Sequence, residues 1–410
     1  MSKKKGKIVA CLDMGSSKLV CIIAAVTGDE VQILGHAYKE SKGINSSAIS
    51  DMRLAQKAIT SVVSQAEKMA GFNIDRLLVG ISGIQVSSIR KEISIKISSD
   101  IVRPSDISGL AEKIRGEFRK NNREIVHLIP LQYRLDDSPP VLNPRYMSGE
   151  KLHARFHIIS TSQTTIRNIE NCFKRCQISV SSYMVEPYAS ALSCLSENEI
   201  NLGVMLIDIG YNSTSFSIII DGNMVFVGSC PIGGYHITKD ISTIFGVSLN
   251  VAEKIKTLNS SLLISPIEER EIIKYRVSEG VDESGIIKIT KLEMCQIIRT
   301  RLEEIFESIK ESLNKKGLKT QLLSNIVLCG GVAVTVGVDK LASEIFEKNV
   351  RIGYPNKFPN APAEILNQSH SCSLGMLIFL QNLYLKEKIK DGFETKDNWF
   401  RRLVEKLAAF

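Results

Sequence analysis

The sequence has little tryptophan and histidine and contains no long apolar run. Its 410 residues include one tryptophan and six histidines. The longest apolar stretches, such as "LVCIIAAV" (19–26), are far too short to cross a bilayer as a helix. The composition, 44% hydrophobic and 23% charged, is that of a folded globular protein. We therefore expect no transmembrane helix, and a chain of this length predicts two or more lobes.

Paired metal-binding motifs are also absent from the sequence. The nine cysteines are scattered, and the closest two, Cys172 and Cys176, have no histidine pair nearby. The basic start "MSKKKGK" runs into "IVACLDMG", which has neither the long apolar stretch nor the cleavage site of a signal peptide. We expect buried free thiols and a cytoplasmic protein.

The chain is positively charged but lacks the sequence pattern of a nucleic-acid-binding protein. The formal net charge is +8, but no basic stripe rich in aromatic residues is present. The sequence predicts no nucleic-acid partner, and the excess charge suits an anionic membrane surface at least as well.

One strand-loop-strand pattern occurs once in each half of the chain. In "KIVACLDMGSSKLVCIIAAV" two apolar runs flank the loop that begins at Asp13, and in "NLGVMLIDIGYNSTSFSIII" two similar runs flank the loop that begins at Asp208. Each pattern is typical of a β-hairpin. Because it recurs once rather than every 20–50 residues, a duplicated domain is indicated rather than a solenoid.

The composition of both loops suits phosphate binding. Glycine lets the backbone approach a ligand, backbone N–H groups and hydroxyls can surround phosphate oxygens, and an aspartate at the strand end can hold a hydrated divalent cation. Taken alone, each loop is a weak signal, because an aspartate before glycine at a strand end is more often an ordinary turn. The matching pair favours a clamp around phosphate.

A third segment, "NIVLCGGVAVTVGVDKLASEIF" (325–346), places two glycines after an apolar strand and before a helical pattern. Paired glycines at such a turn allow a flat ligand to lie against the backbone, with a helix N-terminus near a phosphate. A tight strand-to-helix turn is the alternative. Together with the two loops, nucleotide binding is the better interpretation.

The order of these motifs, with "EPYASAL" (186–192) between the hairpins, resembles the actin, Hsp70 and sugar-kinase superfamily. More narrowly, the chain resembles the FtsA family of bacterial cell-division proteins along nearly its whole length. The narrower resemblance rests on "IVHLIPLQYRLDD…LNPRYMSGEKLHARFHII" (125–159), which is similar to the subdomain specific to that family. Tyr146 stands there where a glycine is usual.

The resemblance implies an α/β fold: a duplicated actin/Hsp70-like (RNase H-like) ATPase fold of two lobes, with an FtsA-type inserted subdomain and a C-terminal amphipathic helix. The expected divisions are 1–84 and 161–196 for the first lobe, 85–160 for the insert, 197–237 and 322–385 for the second lobe, 238–321 for its small subdomain, 386–397 for a linker and 398–410 for a membrane-targeting helix.

The resemblance also implies a site for ATP and Mg²⁺. The nucleotide-binding positions carried over are Gly15, Ser16, Ser17, Lys18, Gly210, Asn212, Ser213, Thr214, Gly233, Gly234, Glu253, Lys256, Gly330 and Gly331. Asp13 and Asp208 match the aspartates that hold magnesium through water. Glu186 matches a glutamate near the attacking water, although a hinge role at the lobe crossover is an equal alternative.

The second loop departs from the family pattern in a way that bears on hydrolysis. Many relatives have an aspartate at its end, whereas this chain continues Asn212-Ser213-Thr214-Ser215. The missing carboxylate removes one group that could organise the metal or the attacking water. We therefore expect an ATP-binding protein with at most weak ATPase activity.

A helix is expected over 293–317, since its apolar residues recur on one face and Gly317 follows. Arg299 and Arg301 lie on its solvent face. In the family this small subdomain binds the C-terminal tail of the tubulin-like protein FtsZ, so the resemblance implies that role for both arginines. A solvated helix face is the alternative.

The ending "NWFRRLVEKLAAF" (398–410) has the pattern of an amphipathic helix. Its apolar residues fall within an arc of about 140° at 100° per residue. The residues expected at an anionic membrane are Trp399, Phe400, Arg401, Arg402, Leu403, Val404, Lys406, Leu407 and Phe410. A terminal helix packed on the protein's own core would show the same stripe, but the aromatic residues and the basic flank favour the interface.

The function that the resemblance implies is a polymerising, ATP-binding protein on the cytoplasmic face of the inner membrane at the division septum. It would tether FtsZ filaments there and help recruit later division proteins. The alternatives are a PilM-like actin homologue, a scaffold with an inactive cleft, and a sugar kinase, for which no aspartate base in a substrate pocket is evident.

Overall fold

The computed structural model describes residues 6–28, 30–276, 286–318, 323–355, 358 and 361–390. The predicted membrane helix 398–410 lies outside the described residues, as does 391–397 of the predicted linker. Helix α10 below ends at Lys390, so residues 386–390, expected as linker, are helical.

The strands are β1 (Lys7–Met14), β2 (Lys18–Thr27), β3 (Glu30–Glu40), β4 (Ile44–Asn45), β5 (Ala48–Ile49), β6 (Arg76–Ile81), β7 (Val86–Lys96), β8 (Arg123–Leu135), β9 (Lys151–Ser162), β10 (Ser179–Val185), β11 (Val204–Ile209), β12 (Thr214–Ile220), β13 (Asn223–Cys230), β14 (Ile272–Arg276), β15 (Ile286–Thr290), β16 (Asn325–Cys329) and β17 (Asn349–Ile352). The helices are α1 (Met52–Ala70), α2 (Pro104–Lys120), α3 (Gln163–Arg175), α4 (Glu186–Cys194), α5 (Glu197–Leu202), α6 (Gly234–Phe245), α7 (Leu249–Asn259), α8 (Lys291–Lys315), α9 (Val338–Phe346) and α10 (Ser371–Lys390).

Two five-stranded sheets repeat one topology. The first has the order β10-β6-β1-β2-β3 and the second the order β13-β12-β11-β16-β17. In each, three consecutive strands form an antiparallel meander, and the first of them pairs in parallel with a strand that arrives through a crossover. The predicted duplication is therefore present in the fold.

The apolar runs of the two hairpins reflect burial on both faces of each sheet. Along β1, Leu12 and Met14 pack in the core that includes α1 and α3, whereas Cys11 faces the core that includes α4 and α10. A strand covered on both sides shows a continuous apolar run rather than alternation. The hairpins also match in register, with Asp13 opposite Val20 and Asp208 opposite Ser215.

The inserted segment forms its own small unit. Strands β7, β9 and β8 make an antiparallel sheet, and α2 packs on it around a separate apolar core. Tyr146, in a loop of this unit, has a φ of 65°, in the left-handed region that favours glycine. The backbone there keeps the conformation for which a glycine would be preferred.

The small subdomain of the second lobe contains α6, α7, α8 and the two-stranded sheet β14-β15. Helix α8 begins two residues before the expected start and ends at Lys315, because Thr290 and Glu293 form a capping box at its N-terminus. The predicted apolar face is buried against the second sheet's core.

Helices α4 and α10 lie against each other between the two sheets. A Cβ atom on Gly375 of α10 would lie 1.7 Å from the carbonyl oxygen of Ala189 in α4, so the two backbones touch. This contact places the N-termini of both helices near the ends of β1 and β11.

All nine cysteines are free thiols, and eight of them are buried. Within the described ranges, no helix is both long and apolar enough to span a bilayer.

Candidate functional site

A cavity of about 390 Å³ opens between the two sheets. Its walls come from both hairpin loops, from the loop after β16, from α6 and α7, and from the N-termini of α4 and α10. The predicted site residues that line it are Asp13, Gly15, Ser16, Ser17, Lys18, Glu186, Asp208, Gly210, Ser213, Gly234, Glu253, Lys256, Gly330 and Gly331.

The first loop is tightly wound and held from two sides. A Cβ on Gly15 would lie 2.8 Å from the carbonyl oxygen of Lys18, so the turn requires glycine. The Ser16 hydroxyl accepts a hydrogen bond from the backbone N–H of Ser46 at 2.9 Å. Lys18 Nζ lies 3.1 Å from Ser369 Oγ and 3.2 Å from His370 Nε2, which places its ammonium in the cavity beside α10.

The second loop repeats this geometry with one difference. Gly210 donates its backbone N–H to the carbonyl oxygen of Ser213, and a Cβ there would lie 2.9 Å from that same oxygen. Asn212 does not line the cavity; its Nδ2 donates to Asn45 Oδ1 at 2.7 Å.

Two more predicted residues lie behind the second loop. Thr214 is buried and donates its hydroxyl proton to the Ile232 carbonyl oxygen, away from the cavity. Gly233 sits beneath the loop, where a Cβ would come 2.6 Å from the Gly210 carbonyl oxygen. These residues support the loop rather than forming part of the described cavity wall.

Three partly buried carboxyl groups share the floor of the cavity. Burial, and then the charge of Asp208, raise the pKa of Asp13 to about 7, and nearby Lys18 opposes the rise. Burial and both aspartates raise the pKa of Glu186 well above its usual range. Burial also raises the pKa of Asp208, although Ser190 donates a hydrogen bond of 2.6 Å to it.

These carboxyl groups fit a hydrated divalent cation. Oxygen ligands and retained waters are what Mg²⁺ prefers, and a cation would favour the ionised forms that burial, and for Asp13 and Glu186 also the neighbouring carboxyl charges, disfavour. No three His, Cys, Asp or Glu side chains among the described residues are close enough to hold a metal ion directly. Binding through water and ligand oxygens is the arrangement that this donor set suits.

The opposite end of the cavity is built by glycine backbone and by α6 and α7. A Cβ on Gly331 would meet nothing within 4 Å, whereas one on Gly330, whose φ is 90°, would lie 2.4 Å from Asp208 Oδ1. A short 3₁₀ turn over 331–334 follows, and α9 begins only at Val338. The expectation of a helix N-terminus directly after the glycines is wrong, because three of the five residues Val332–Val336 are valines and one is a threonine, which disfavour a helix.

Lys256 and Glu253 form a pair on this side. Lys256 Nζ donates to Glu253 Oε2 at 2.7 Å, to Thr238 Oγ1 at 2.8 Å and to the Gly234 carbonyl oxygen at 3.0 Å. It also lies 5.8 Å from the centre of the Tyr211 ring. Burial lowers the pKa of Lys256, and the Glu253 hydrogen bond opposes this.

Several cavity residues were not found by sequence reasoning: Ser82, Tyr211, Ser215, Ile237, Thr257, Ser260, Val332, Val334, Thr335, Gln368, Ser369, Ser371 and Cys372. The polar cluster "NQSHS" before the apolar part of α10 is the one local signal that could have pointed to 368–371. Tyr211 and Ser215 lie in the second loop, and Val332, Val334 and Thr335 follow the paired glycines, whereas the remaining residues carry no motif of their own.

The two arginines predicted on α8 lie away from the cavity and have intramolecular partners. Arg301 makes two hydrogen bonds of 2.8 Å to the Asp240 carboxylate and a further one to Glu304. Arg299 bonds Glu303 at 2.7 Å and Glu344 at 3.1 Å. Arg301 also borders a groove of about 520 Å³ between α6 and α8. The residues predicted to bind a membrane lie outside the described residues.

The cavity can hold a polyanion. Two glycine loops present backbone N–H groups and hydroxyls, Lys18 supplies a positive charge, and two aspartates can hold a hydrated cation. Glu186 lies where an ionised carboxylate could orient a water molecule.

Comparison with known proteins agrees with this geometry. The family model "Cell division protein FtsA" matches residues 205–375, and the model "SHS2 domain inserted in FTSA" matches residues 83–160. Among curated proteins, cell division protein FtsA of Bacillus subtilis (strain 168) is 30% identical over 352 residues, 85% of this chain and 79% of that protein. The protein of the same name from Borreliella burgdorferi is 29% identical over 410 residues, 96% of this chain and 98% of its own length.

Solved structures share the fold at low sequence identity. The PilM-PilN type IV pilus biogenesis complex matches at 16% identity with a TM-score of 0.64, over 90% of this chain and 97% of the other. MreB 5 of Spiroplasma citri bound to AMPPNP matches at 15% identity with a TM-score of 0.59, over 94% of this chain and 99% of the other. These matches confirm the predicted actin-like fold, and the inserted unit is of the predicted type.

Proposed function

Since the chain belongs to the FtsA family of actin-like cell-division proteins, we propose that it binds ATP with Mg²⁺, polymerises on the inner membrane at the division septum and tethers FtsZ filaments there. The observation that carries the proposal is the cavity in which two matching glycine loops, each preceded by a partly buried aspartate, meet between the lobes.

In this site the first loop and Lys18 bind phosphate, and Gly210 and Ser213 bind it from the second lobe. Asp13 and Asp208 hold magnesium through water, and that ion would neutralise phosphate charge and draw the two lobes together. Gly234, Gly330 and Gly331 form the backbone surface for the adenosine, with Lys256 and Glu253 near the ribose and base.

Hydrolysis is not required for this role. Glu186 can orient water only as a carboxylate, and its surroundings hold the pKa of Glu186 high. The second loop also lacks a further carboxylate. Slow turnover is therefore the expected behaviour, and nucleotide acts mainly to close the lobes and favour polymerisation.

Membrane attachment would come from the predicted helix 398–410. A single short interfacial helix binds weakly and reversibly, but a polymer places many copies on one surface and raises their effective concentration. Nucleotide-dependent polymerisation would then strengthen attachment without any change in the helix itself.

The FtsZ tail would bind in the small subdomain of the second lobe, at the groove between α6 and α8. The groove is lined by Lys239, by Arg301 with its partners Asp240 and Glu304, and by Ile244, which is 60% exposed. An acidic, partly apolar peptide suits this surface. Arg299 and Arg301 would contribute by exchanging their intramolecular carboxylate partners for those of the peptide, and later division proteins would join the assembly.

Co-sedimentation with anionic liposomes tests the proposal. We expect the full chain to pellet with liposomes more strongly with ATP and Mg²⁺ than without, and a chain ending at Lys390 to stay in the supernatant. Trp399→Glu should behave like the truncation. If the truncated chain pellets as well as the full chain, the membrane-anchor role is refuted, and a PilM-like scaffold without a lipid anchor becomes the better interpretation.

A further inference from the structure

A short hairpin that carries none of the predicted motifs contacts the site at three places. Strands β4 and β5 pair Asn45 with Ala48, which leaves Ser46 and Ser47 as a two-residue turn. Gly43 anchors the hairpin, since its carbonyl oxygen accepts the backbone N–H groups of Ser50 and Asp51 at the start of α1.

The backbone of this turn is unusual for its sequence. Ser46 and Ser47 have φ values of 46° and 62°, the left-handed region that non-glycine residues rarely adopt. Two-residue turns of this kind favour Asn-Gly or Asp-Gly. The same chain uses that preferred pair, Asp221-Gly222, in the turn between β12 and β13. Two serines in this conformation indicate a functional reason for serine at this turn.

Ser47 is fully buried and joins three parts of the site. Its hydroxyl accepts the backbone N–H of Ser82 at 2.9 Å and lies 3.1 Å from both the Met14 carbonyl oxygen and Glu186 Oε1. It therefore fixes the carboxyl group of Glu186 relative to the end of β1.

The neighbouring residues reach both phosphate loops. The Ser46 backbone N–H donates to Ser16 Oγ in the first loop at 2.9 Å. Asn45 Oδ1 accepts a hydrogen bond of 2.7 Å from Asn212 Nδ2 in the second loop. The two loops belong to different lobes, so the hairpin connects the lobes on the phosphate side of the cavity.

We propose that Asn45, Ser46 and Ser47 are positioning residues of the nucleotide site, which hold the two phosphate loops and Glu186 in the relative positions that a bound triphosphate needs. The inference rests on the proposed nucleotide binding. It deepens that function by giving a role in phosphate positioning to a segment outside the predicted nucleotide-binding residues.

The experiment compares ATP and adenosine binding, by competition with a fluorescent ATP analogue in the presence of Mg²⁺. Asn45→Ala removes the bond to the second lobe, and Ser47→Gly removes the hydroxyl but keeps a residue that favours the left-handed turn. Each variant is expected to lower ATP affinity about tenfold, the effect of losing one well-placed hydrogen bond. Adenosine affinity should stay within about twofold of wild type, because the turn contacts only the phosphate side.

Asp221→Gly is the matched control, since it changes the first residue of the other left-handed hairpin turn far from the cavity. Asn45 is exposed, so Asn45→Ala is expected to fold even if Ser47→Gly does not.

ATP affinity within twofold of wild type in the folded variants would overturn the inference while leaving nucleotide binding intact. Equal losses for ATP and adenosine would also overturn it, because they would indicate general destabilisation. Absence of ATP binding by the wild-type chain would instead overturn the proposed function itself, and this inference with it.

Discussion

At the scale of single residues, Gly330 and Gly331 are adjacent in the chain but are glycine for different reasons. Gly330 has a φ of 90°, and a Cβ there would lie 2.4 Å from Asp208 Oδ1 and 2.6 Å from the Ile209 carbonyl oxygen. The fold itself requires it. A Cβ on Gly331 would enter open space at the cavity wall, so only a ligand would require glycine at that position.

We predict that one alanine substitution affects stability and the other affects ATP affinity. Gly330→Ala should destabilise the nucleotide-free protein by about 1–3 kcal/mol, through backbone strain and the clash with Asp208. Gly331→Ala should leave the melting temperature unchanged without nucleotide but lower ATP affinity about tenfold or more, because the methyl group occupies ligand space. Thermal melts and ATP titrations of both variants measure this. Unchanged ATP affinity in Gly331→Ala would contradict a ligand at that wall.

Sequence reasoning predicts the residues of this site that belong to local motifs. Asp13, Asp208 and the loop glycines each follow an apolar strand, so their role is visible in a few consecutive residues. Ser47 and Ser82 are not predicted, since they reach Glu186 and each other through contacts between distant segments. The sequence on either side of each serine resembles that of an ordinary loop.

At the scale of secondary-structure elements, the contact between α4 and α10 sets the distance between the ends of β1 and β11. Gly375 lies inside helix α10, where glycine is unfavourable without a packing reason. The reason is the backbone of Ala189, since an added Cβ would lie 1.7 Å from its carbonyl oxygen and 2.4 Å from its carbonyl carbon.

Gly375→Ala should therefore destabilise the protein despite the better helix propensity of alanine. We expect a loss of about 3 kcal/mol, the upper end of typical overpacking effects, with a reduced urea midpoint. The matched control is Gly116→Ala in α2, where an added Cβ meets nothing within 4 Å. That variant should gain up to about 1 kcal/mol. Similar midpoints for the two variants would contradict the close approach of the helices.

The elements themselves could be predicted where one simple apolar pattern covers the whole element. Helix α8 and both hairpins were predicted close to their observed bounds, because α8 buries one regular helical face and the hairpin strands are continuous apolar runs. The turn over 331–334 was not predicted. Val332 packs into the core of the second lobe and Val334 lines the cavity, so the two valines do not form the repeating apolar face by which a helix is recognised. The described side chains of α10 are apolar on most sides, which indicates burial but not which elements cover the helix.

At the scale of the whole molecule, the inserted unit is tied to the second lobe as well as to the first. His157 in β9 is fully buried, and its Nδ1 lies 2.9 Å from the Met224 carbonyl oxygen of β13. Because that oxygen can only accept, Nδ1 carries the proton and Nε2 accepts from Ser88 Oγ at 2.7 Å. Ser88 Oγ in turn accepts the Val227 backbone N–H at 3.1 Å. A movement of the second lobe would therefore be transmitted to the insert.

This connection predicts a pH dependence of stability. Burial, and then the charge of Arg90, lower the pKa of His157 from its usual 6.5 to about 4. Between those values the unfolded chain binds a proton that the folded chain does not. The stabilising effect is thus complete above pH 6.5 and is lost as the pH falls towards 4, by about 1.4 kcal/mol per pH unit.

His157→Gln keeps a donor and an acceptor but cannot titrate, so it isolates this contribution. The difference in unfolding free energy between wild type and variant should shrink by about 2 kcal/mol between pH 6.5 and pH 5. Guanidinium unfolding at both pH values measures it. The opposite trend from Asp13, whose raised pKa favours the folded state at low pH, is present in both proteins and cancels. Buried His127 follows the same trend as His157, and because burial lowers its pKa to about 3, below the pH range compared, its contribution also cancels. A difference that stays constant with pH would mean that folding does not lower the pKa of His157, and that the insert is not held to β13 by a buried neutral imidazole.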